Sequence, residues 1–298
     1  MYKDLLKLLP AASLSFQEPM SNHTTFKIGG PADVLVTPKS IYELKTTLEY
    51  CLSRRVPWMV LGAGSNLLVR DKGIRGVVIK ISQLNCIQIR GEQVYAEAGA
   101  QLSQVARFAA SFHLTGLEFA EGIPGSLGGA VVMNAGAYDG EMSDVLLEVD
   151  AIKPSGERKT FQRSELNLDY RQSIFQHNDY IVVAARLVLK TGVEQDITAK
   201  MKEYSQRRWE KQPLEYPSAG SVFRRPPGHF VGPMIEELGL KEYSIGGAQV
   251  SAKHAGFIVN TGGATAEDVL QLIAAIQEKV ADHYGLNLQT EIRIVGEP

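Results

Sequence analysis

The chain has 298 residues, 44% of them apolar and 21% charged, enough for about two domains with a sizeable buried core. Its 31 basic and 33 acidic residues leave a net charge of −2. That balance excludes a nucleic-acid binder held by bulk positive charge, but allows a small anion met by a few local cations. Two cysteines, Cys51 and Cys86, are too few for a disulfide framework, and both are expected as reduced core thiols. The opening Met1–Pro10 is broken by charges and stopped by proline, unlike a signal peptide. No run approaches the roughly 18 apolar residues of a membrane span, so a cytoplasmic location is expected.

Val34–Thr37 is a short strand candidate. Ser40 and Glu43 then have capping-box spacing, and Ile41, Leu44, Leu48 and Leu52 fall on one helical stripe. Trp58–Leu61 and Val77–Ile81 are β-rich runs, each met by glycine. Cys86–Arg90 with Gln93–Ala98 predicts a hairpin about Gly91 and Glu92. Leu102, Val105, Ala109 and Phe112 mark a second helical face. Glycines at 116, 122, 125, 128, 129, 136 and 140, with Pro124 among them, then break the rhythm. Such a stretch loses much backbone entropy on ordering. Strands are predicted again at Leu147–Lys153, Lys159–Gln162 and Tyr180–Lys190, and a helix of mixed character over about 196–209. Pro213 and Pro217 bracket a linker. Beyond it Pro233 suits the first position of a helix over Met234–Leu238, with Gly239 as its stop. Thr265 and Asp268 open the clearest helix, whose face is Val269, Leu272, Ile273, Ile276 and Val280 and whose end is Gly285. Thr290–Val295 reads as a closing strand. A larger nucleotide-type unit before about residue 210 and a smaller α+β unit after it follow from this order.

Five stretches are candidates to carry chemistry. Leu61-Gly62-Ala63-Gly64-Ser65-Asn66-Leu67 follows a strand directly. Its paired glycines let backbone N–H groups approach phosphate oxygens, and Ser65 and Asn66 add neutral donors; a plain tight turn is the other reading. It lacks the third glycine of a dinucleotide fingerprint and the Gly-Lys-Ser/Thr ending of a P-loop. Glu121–Ala130, running on to Asn134–Tyr138, is poor in side chains and rich in backbone donors. A flat or extended ligand needs that to lie against main chain, although a packed structural loop would look the same. Arg171, flanked by aromatics in Tyr170–Phe175, offers a fork for a carboxylate or a solvated surface charge. In Ser218–Pro226, Ser221 follows a glycine at the start of a strand, either facing a cleft or closing a turn. In Gln289–Val295, period two puts Glu291, Arg293 and Val295 on one strand face, functional or merely polar. The six histidines show no metal-ligand spacing, so no metal site is expected.

In order and spacing these pieces jointly resemble the UDP-N-acetylenolpyruvoylglucosamine reductase (UDP-N-acetylmuramate dehydrogenase) family of bacterial peptidoglycan synthesis. The resemblance covers nearly the whole chain: Asn22–Ala32, Gly62–Asn66, Gly122–Ala137, Tyr170–Phe175, Ala219–Phe223, Ile245–Ala248 and Thr290–Gly296. It implies an α+β protein with an FAD-binding domain of the p-cresol methylhydroxylase and vanillyl-alcohol oxidase type. That domain would have two subdomains, over 1–80 and 81–210, followed by a smaller α+β substrate-binding domain over 211–298. It further implies bound FAD, NADPH as hydride donor, an enolpyruvyl sugar nucleotide as substrate, no nucleic-acid or membrane partner, and a monomer. By motif, Arg171 and Glu291 sit at the enolpyruvyl carboxylate and Ser221 is the proton donor. Gly62, Ala63, Gly64, Ser65, Asn66, Leu67, Gly122, Pro124, Gly125, Ser126, Gly128, Gly129, Asn134, Gly136 and Ile181 line the FAD. Tyr170, Arg171, Arg224, Arg225 and Gln249 meet substrate, Arg225 standing where some members carry Asn. Arg207, Arg208, Lys211 and Lys253 are further cations able to meet a diphosphate. The short interval from Arg171 to Ser221 resembles the shorter variant, which lacks an inserted tyrosine-bearing loop. The competing expectation is an FAD oxidase or dehydrogenase of another small molecule on the same fold, and a third is a non-catalytic nucleotide-binding module.

The implied roles agree with elementary chemistry. Hydride arriving at the terminal carbon of an enol ether conjugated to a carboxylate pushes negative charge onto that carboxylate. The dianionic enolate is costly unless donors already point at it. Arg171 would supply a permanent cation, Glu291 a second donor in its acid form, and Ser221 the proton that carbon then needs.

Overall fold

The computed structural model describes residues Tyr2–Pro298. They form two units: one of residues up to Phe16, Val34–Ala63 and Gly76–Arg208, the other of Gln17–Asp33, Gly64–Arg75 and Trp209–Pro298.

In the first unit Ser40 opens the helix Ile41–Arg54, its Oγ accepting from the Glu43 N–H at 3.2 Å. The Glu43 carboxylate reaches past Ser40 and accepts from the Lys39 N–H at 3.0 Å and from Ser13 Oγ at 3.1 Å. Of the expected stripe, Leu44 and Leu48 are buried and Leu52 is exposed. Strand Trp58–Leu61 runs parallel to Ile74–Lys80, Leu61 opposite Lys80. They belong to a sheet in the order Leu14–Pro19, Pro31–Val36, Ile74–Lys80, Trp58–Leu61. A second sheet is antiparallel throughout, in the order Arg158–Gln162, Leu146–Ile152, Ile181–Val188, Gln93–Glu97, Ile87–Arg90. The predicted hairpin about Gly91 forms its edge. The core includes Val77, Ile79, Val94, Leu102, Leu127 and Val149, all with no exposed surface. Burial of such side chains is worth about 1.5–3 kcal/mol each.

Helix Leu102–Ala110 stops short of Phe112, contrary to the expected face. The amides of Phe112 and His113 turn back to Ala109 and Ala110 carbonyls, and His113 has φ 58°, so the chain leaves the helix and Phe112 is exposed. The glycine-rich stretch orders into a single 3-10 turn, Glu118–Ala120, and a six-residue helix, Leu127–Val132. The helix Glu194–Lys211 closes this part of the chain.

The second unit has an antiparallel sheet in the order Ser218–Ser221, Phe257–Asn260, Ala248–Val250, Ser244–Ile245. A parallel pair joins Arg293–Val295 to Leu67–Val69. Its long helix, Ala266–Tyr284, carries the predicted capping box of Thr265 and Asp268 and ends at Gly285 with φ 64°. The Asp71 carboxylate also takes the Ala266 and Glu267 N–H groups, at 2.8 and 3.0 Å, so the orphan donors of that helix start are met. Two expectations need correction. Pro233 is the third residue of helix Val231–Glu237, where a missing N–H still costs no helical bond. The closing strand begins only at Arg293, so Glu291 does not share its face. The Glu291 N–H donates instead to the Val222 carbonyl at 2.7 Å.

Among the described residues, no helix is long and apolar enough to cross a membrane. The cysteines differ from expectation. Cys51 is buried in the first helix, and burial pushes its thiol up to about 12. Cys86 is exposed, because it enters the edge strand of the second sheet. A thiolate reagent should therefore modify one cysteine rapidly in the native protein and both in denaturant. Two fast native thiols would contradict this placement.

Candidate active site

In the first unit Gly62 and Ser126, far apart in sequence, come together. A β-carbon on Gly62 would lie 2.4 Å from Ser126 Oγ. Ser126 is buried, its main chain bridges Gln101, and its Oγ caps the short helix by accepting from the Gly129 N–H at 3.3 Å. Leu127 and Gly128 spend their amides on the Ala100 and Ala98 carbonyls, each at 2.8 Å. A β-carbon on Gly128 would also lie 2.8 Å from that of Ala98, so Gly128 packs helix against strand. Among the described residues, the amides of Ala63, Gly122, Gly125 and Ser126 in this unit donate to no protein acceptor, and in the second unit neither do those of Gly64 and Ser65. Gly64 has φ 68°, and a β-carbon there would lie 2.1 Å from the His23 carbonyl oxygen.

The next contacts run from the second stretch to Arg171. Residues 169–172 form a tight turn, with Asp169 and Gln172 exchanging main-chain hydrogen bonds at 3.3 and 2.9 Å. Arg171 sits in it at φ 55°, a region side chains rarely occupy. Its Nη2 donates to the Gly136 carbonyl at 3.3 Å, and its guanidinium lies 5.0 Å from the centre of the Tyr170 ring. Asn134 is fully buried; its Nδ2 donates to Glu141 and to the Asp169 carbonyl, and its Oδ1 accepts from the Ser143 N–H. Ile181, also buried, starts a strand of the second sheet, while Pro124 is exposed. Arg208 is buried as well, beside Gly122 and 5.7 Å from the Tyr138 ring centre; burial pushes its pKa down, opposed by Tyr138 and Glu121. Tyr138 stacks on Tyr204 at 4.4 Å.

In the second unit, Ser221, Glu291 and Asn66 come together. Gly220, at φ 80° with open space where a side chain would start, precedes Ser221 in an irregular stretch of its strand. Beside it, Val222 accepts the Glu291 N–H, and Thr290 bridges Phe223. Asn66 Nδ2 donates to the Glu291 carbonyl at 3.2 Å, and the Asn66 carbonyl accepts from the Arg293 N–H at 3.0 Å. Leu67 is buried in the strand that follows. The candidate substrate contacts divide by what already holds them. Arg224 Nε is buried with no hydrogen-bond partner among the described residues. Arg225 donates to the His229 carbonyl and lies 3.8 Å over the Phe230 ring. Gln249 Nε2 is spent on the Glu242 carbonyl and Ser244 Oγ. Lys253 pairs with Glu215 at 3.5 Å.

Residues 32–162 match the family model of an FAD-binding domain, and residues 212–295 that of the C-terminal domain of UDP-N-acetylenolpyruvoylglucosamine reductase. Over 298 residues the chain is 55% identical to the UDP-N-acetylenolpyruvoylglucosamine reductase of Syntrophomonas wolfei, covering 100% of both. It is 52% identical to the protein of that name from Caldanaerobacter subterraneus, over 98% of this chain and 97% of the relative. The chain belongs to the UDP-N-acetylenolpyruvoylglucosamine reductase family. The crystal structure of the reductase from Thermus caldophilus matches with a TM-score of 0.81 and 37% identity, over 94% of this chain and 97% of that one. The expected fold class, α+β with an FAD-binding domain and a smaller substrate-type domain, is the one found.

The reductase family's flavin dinucleotide fits what the first glycine loops offer. Main-chain donors without acceptors, and glycines that leave no side chain over them, suit a diphosphate and a flat ring. In the sequence Arg208 is one cation among several. Only burial distinguishes it, and a cation within a helix of mixed character gives no such signal. Gly64 belongs to the loop for a backbone reason, so Gly64→Ala should cost about 1–3 kcal/mol of stability in denaturant unfolding. Unchanged stability would contradict the close approach to His23.

Proposed function

We propose that the chain is an FAD-carrying, NADPH-dependent reductase that converts the enolpyruvyl group of UDP-N-acetylenolpyruvoylglucosamine to UDP-N-acetylmuramate. It works as a monomer in the cytoplasm, supplying a peptidoglycan precursor. The observation that carries this reading is the identity of 55% along the full length of a reductase of that name. Bound FAD supplies acceptance of hydride from NADPH and its delivery to the substrate's terminal carbon.

The protein's part is to bind, to stabilise charge and to move one proton. Donor amides at Ala63–Ser65 and Gly122–Ser126 hold the dinucleotide's phosphates and ring edge, a role supported by their lack of protein acceptors. Arg224 meets the substrate diphosphate, because its buried Nε has no other acceptor. Arg171 clamps the substrate carboxylate. Its charge is permanent and its backbone is pinned, so little reorganisation is needed as the enolate forms. Glu291 is the second residue at that carboxylate. Ser221 Oγ then hands its proton to carbon. Ser221 is half-buried, so its side chain is not sealed in the core.

The direct test is steady-state NADPH consumption, expected only when the enolpyruvyl sugar nucleotide is present; consumption independent of it would reject the reading. Arg171→Ala should lower turnover by about 10²–10³, and a near-normal rate would remove Arg171 from the mechanism. Ser221→Ala should leave flavin reduction by NADPH intact and cripple reoxidation by substrate. Equal loss of both half-reactions would reject its role as proton donor.

A further inference from the structure

Arginine has no intrinsic reason to sit at φ 55°, and such a conformation persists only where its surroundings over-determine it. Two side-chain amides do so at the Arg171 turn. Gln176 Nε2 donates to the carbonyl of Arg171 itself at 3.0 Å and to the Val132 carbonyl at 2.8 Å. Asn134 Nδ2 grips the other end of the turn, at the Asp169 carbonyl, at 3.2 Å. Both donors of the Asn134 amide and its acceptor are used within the protein, at Asp169, Glu141 and the Ser143 N–H. Asn134 has no exposed surface and is itself held at φ 40°. A residue so committed has no donor left for a cofactor. Val132, Asn134 and the Gly136 carbonyl that receives Arg171 Nη2 all come from the end of the glycine-rich stretch. The stretch therefore fixes the turn at its main chain and at its guanidinium together.

We propose that Gln176 and Asn134 are positioning residues that hold Arg171 in its left-handed conformation and so aim its guanidinium. This rests on the reading of Arg171 as the enolate clamp. Without the two amides, residue 171 relaxes toward the common backbone basins, and the guanidinium leaves the line on which charge develops. Substrate reduction slows, while reduction of the flavin by NADPH, which does not use that clamp, does not.

The test uses the flavin-loaded full chain. Gln176→Met keeps length and bulk and removes both donations. Gln176→Glu keeps the shape but, as a carboxylate, accepts rather than donates. Each is compared with wild type and combined with Arg171→Ala, with both half-reactions followed by stopped flow and folding followed by thermal unfolding. In the Arg171 background, reoxidation by substrate should slow about ten- to a hundredfold, with reduction by NADPH changed less than about twofold. In the Arg171→Ala background, the Gln176 substitution should add less than about twofold, because it acts only through Arg171. Wild-type reoxidation in either folded variant, equal loss in both half-reactions, or the same further loss without Arg171 would overturn the positioning role. A slow Arg171→Ala beside a fast Gln176→Met sinks the positioning alone. A fast Arg171→Ala sinks the clamp reading and this proposal with it.

Discussion

Ser126 Oγ occupies the space that a β-carbon on Gly62 would need. With no side chain at residue 62, the loop after strand Trp58–Leu61 packs directly on the second glycine stretch. The same hydroxyl caps the short helix Leu127–Val132, so one oxygen both admits the loop and starts the helix. Around it the main chain divides its amides into two sets. Those of Leu127, Gly128 and Gly129 are spent on the protein, which makes the stretch rigid. Those of Gly122, Gly125 and Ser126 are left for something the protein does not supply. Rigid main chain with unspent donors is an anion-binding arrangement that no flexible loop could match at equal entropic cost.

From the far end of the same stretch the structure reaches Arg171. The Gly136 carbonyl, the Val132 carbonyl and the Asn134 side chain fix, directly or through Gln176, the turn that carries the guanidinium. For the proposed role of Arg171 as enolate clamp this matters, because such a cation works best when it is already in place. In the second unit, Ser221 and Glu291 depend on a separate set of bonds, from Glu291 to Val222 and from Asn66 to Glu291. Asn66 thus serves through its side-chain amide, where the sequence suggests a neutral donor for phosphate.

Elements with strong local signals were legible in the sequence. The helix Ala266–Tyr284 shows its box, its apolar face and its terminal glycine in plain order, and all three are present. The hairpin about Gly91 is likewise local. The failures are those set by distant partners. Glu291 has strand periodicity around it, but Val222 claims its N–H and holds it out of the strand. Phe112 continues an apolar stripe past the point where the chain has already turned. Cys86 looks like a core thiol because nothing local says that its strand is an edge. Residue types and their order pointed to the family. The commitment of Asn134 to Asp169 and Glu141 was not legible, since neither partner is marked by spacing.

The proposed function stands or falls on a bound flavin that shuttles reducing power to an enolpyruvyl sugar nucleotide. The most direct measurement is the anaerobic visible spectrum of the purified full-length protein, taken alone, after NADPH, and after UDP-N-acetylenolpyruvoylglucosamine is added to the reduced sample. A yellow protein that bleaches with NADPH and regains its colour with the sugar nucleotide is expected. A protein that is colourless and takes up no FAD, or whose colour does not return with that substrate, would contradict it.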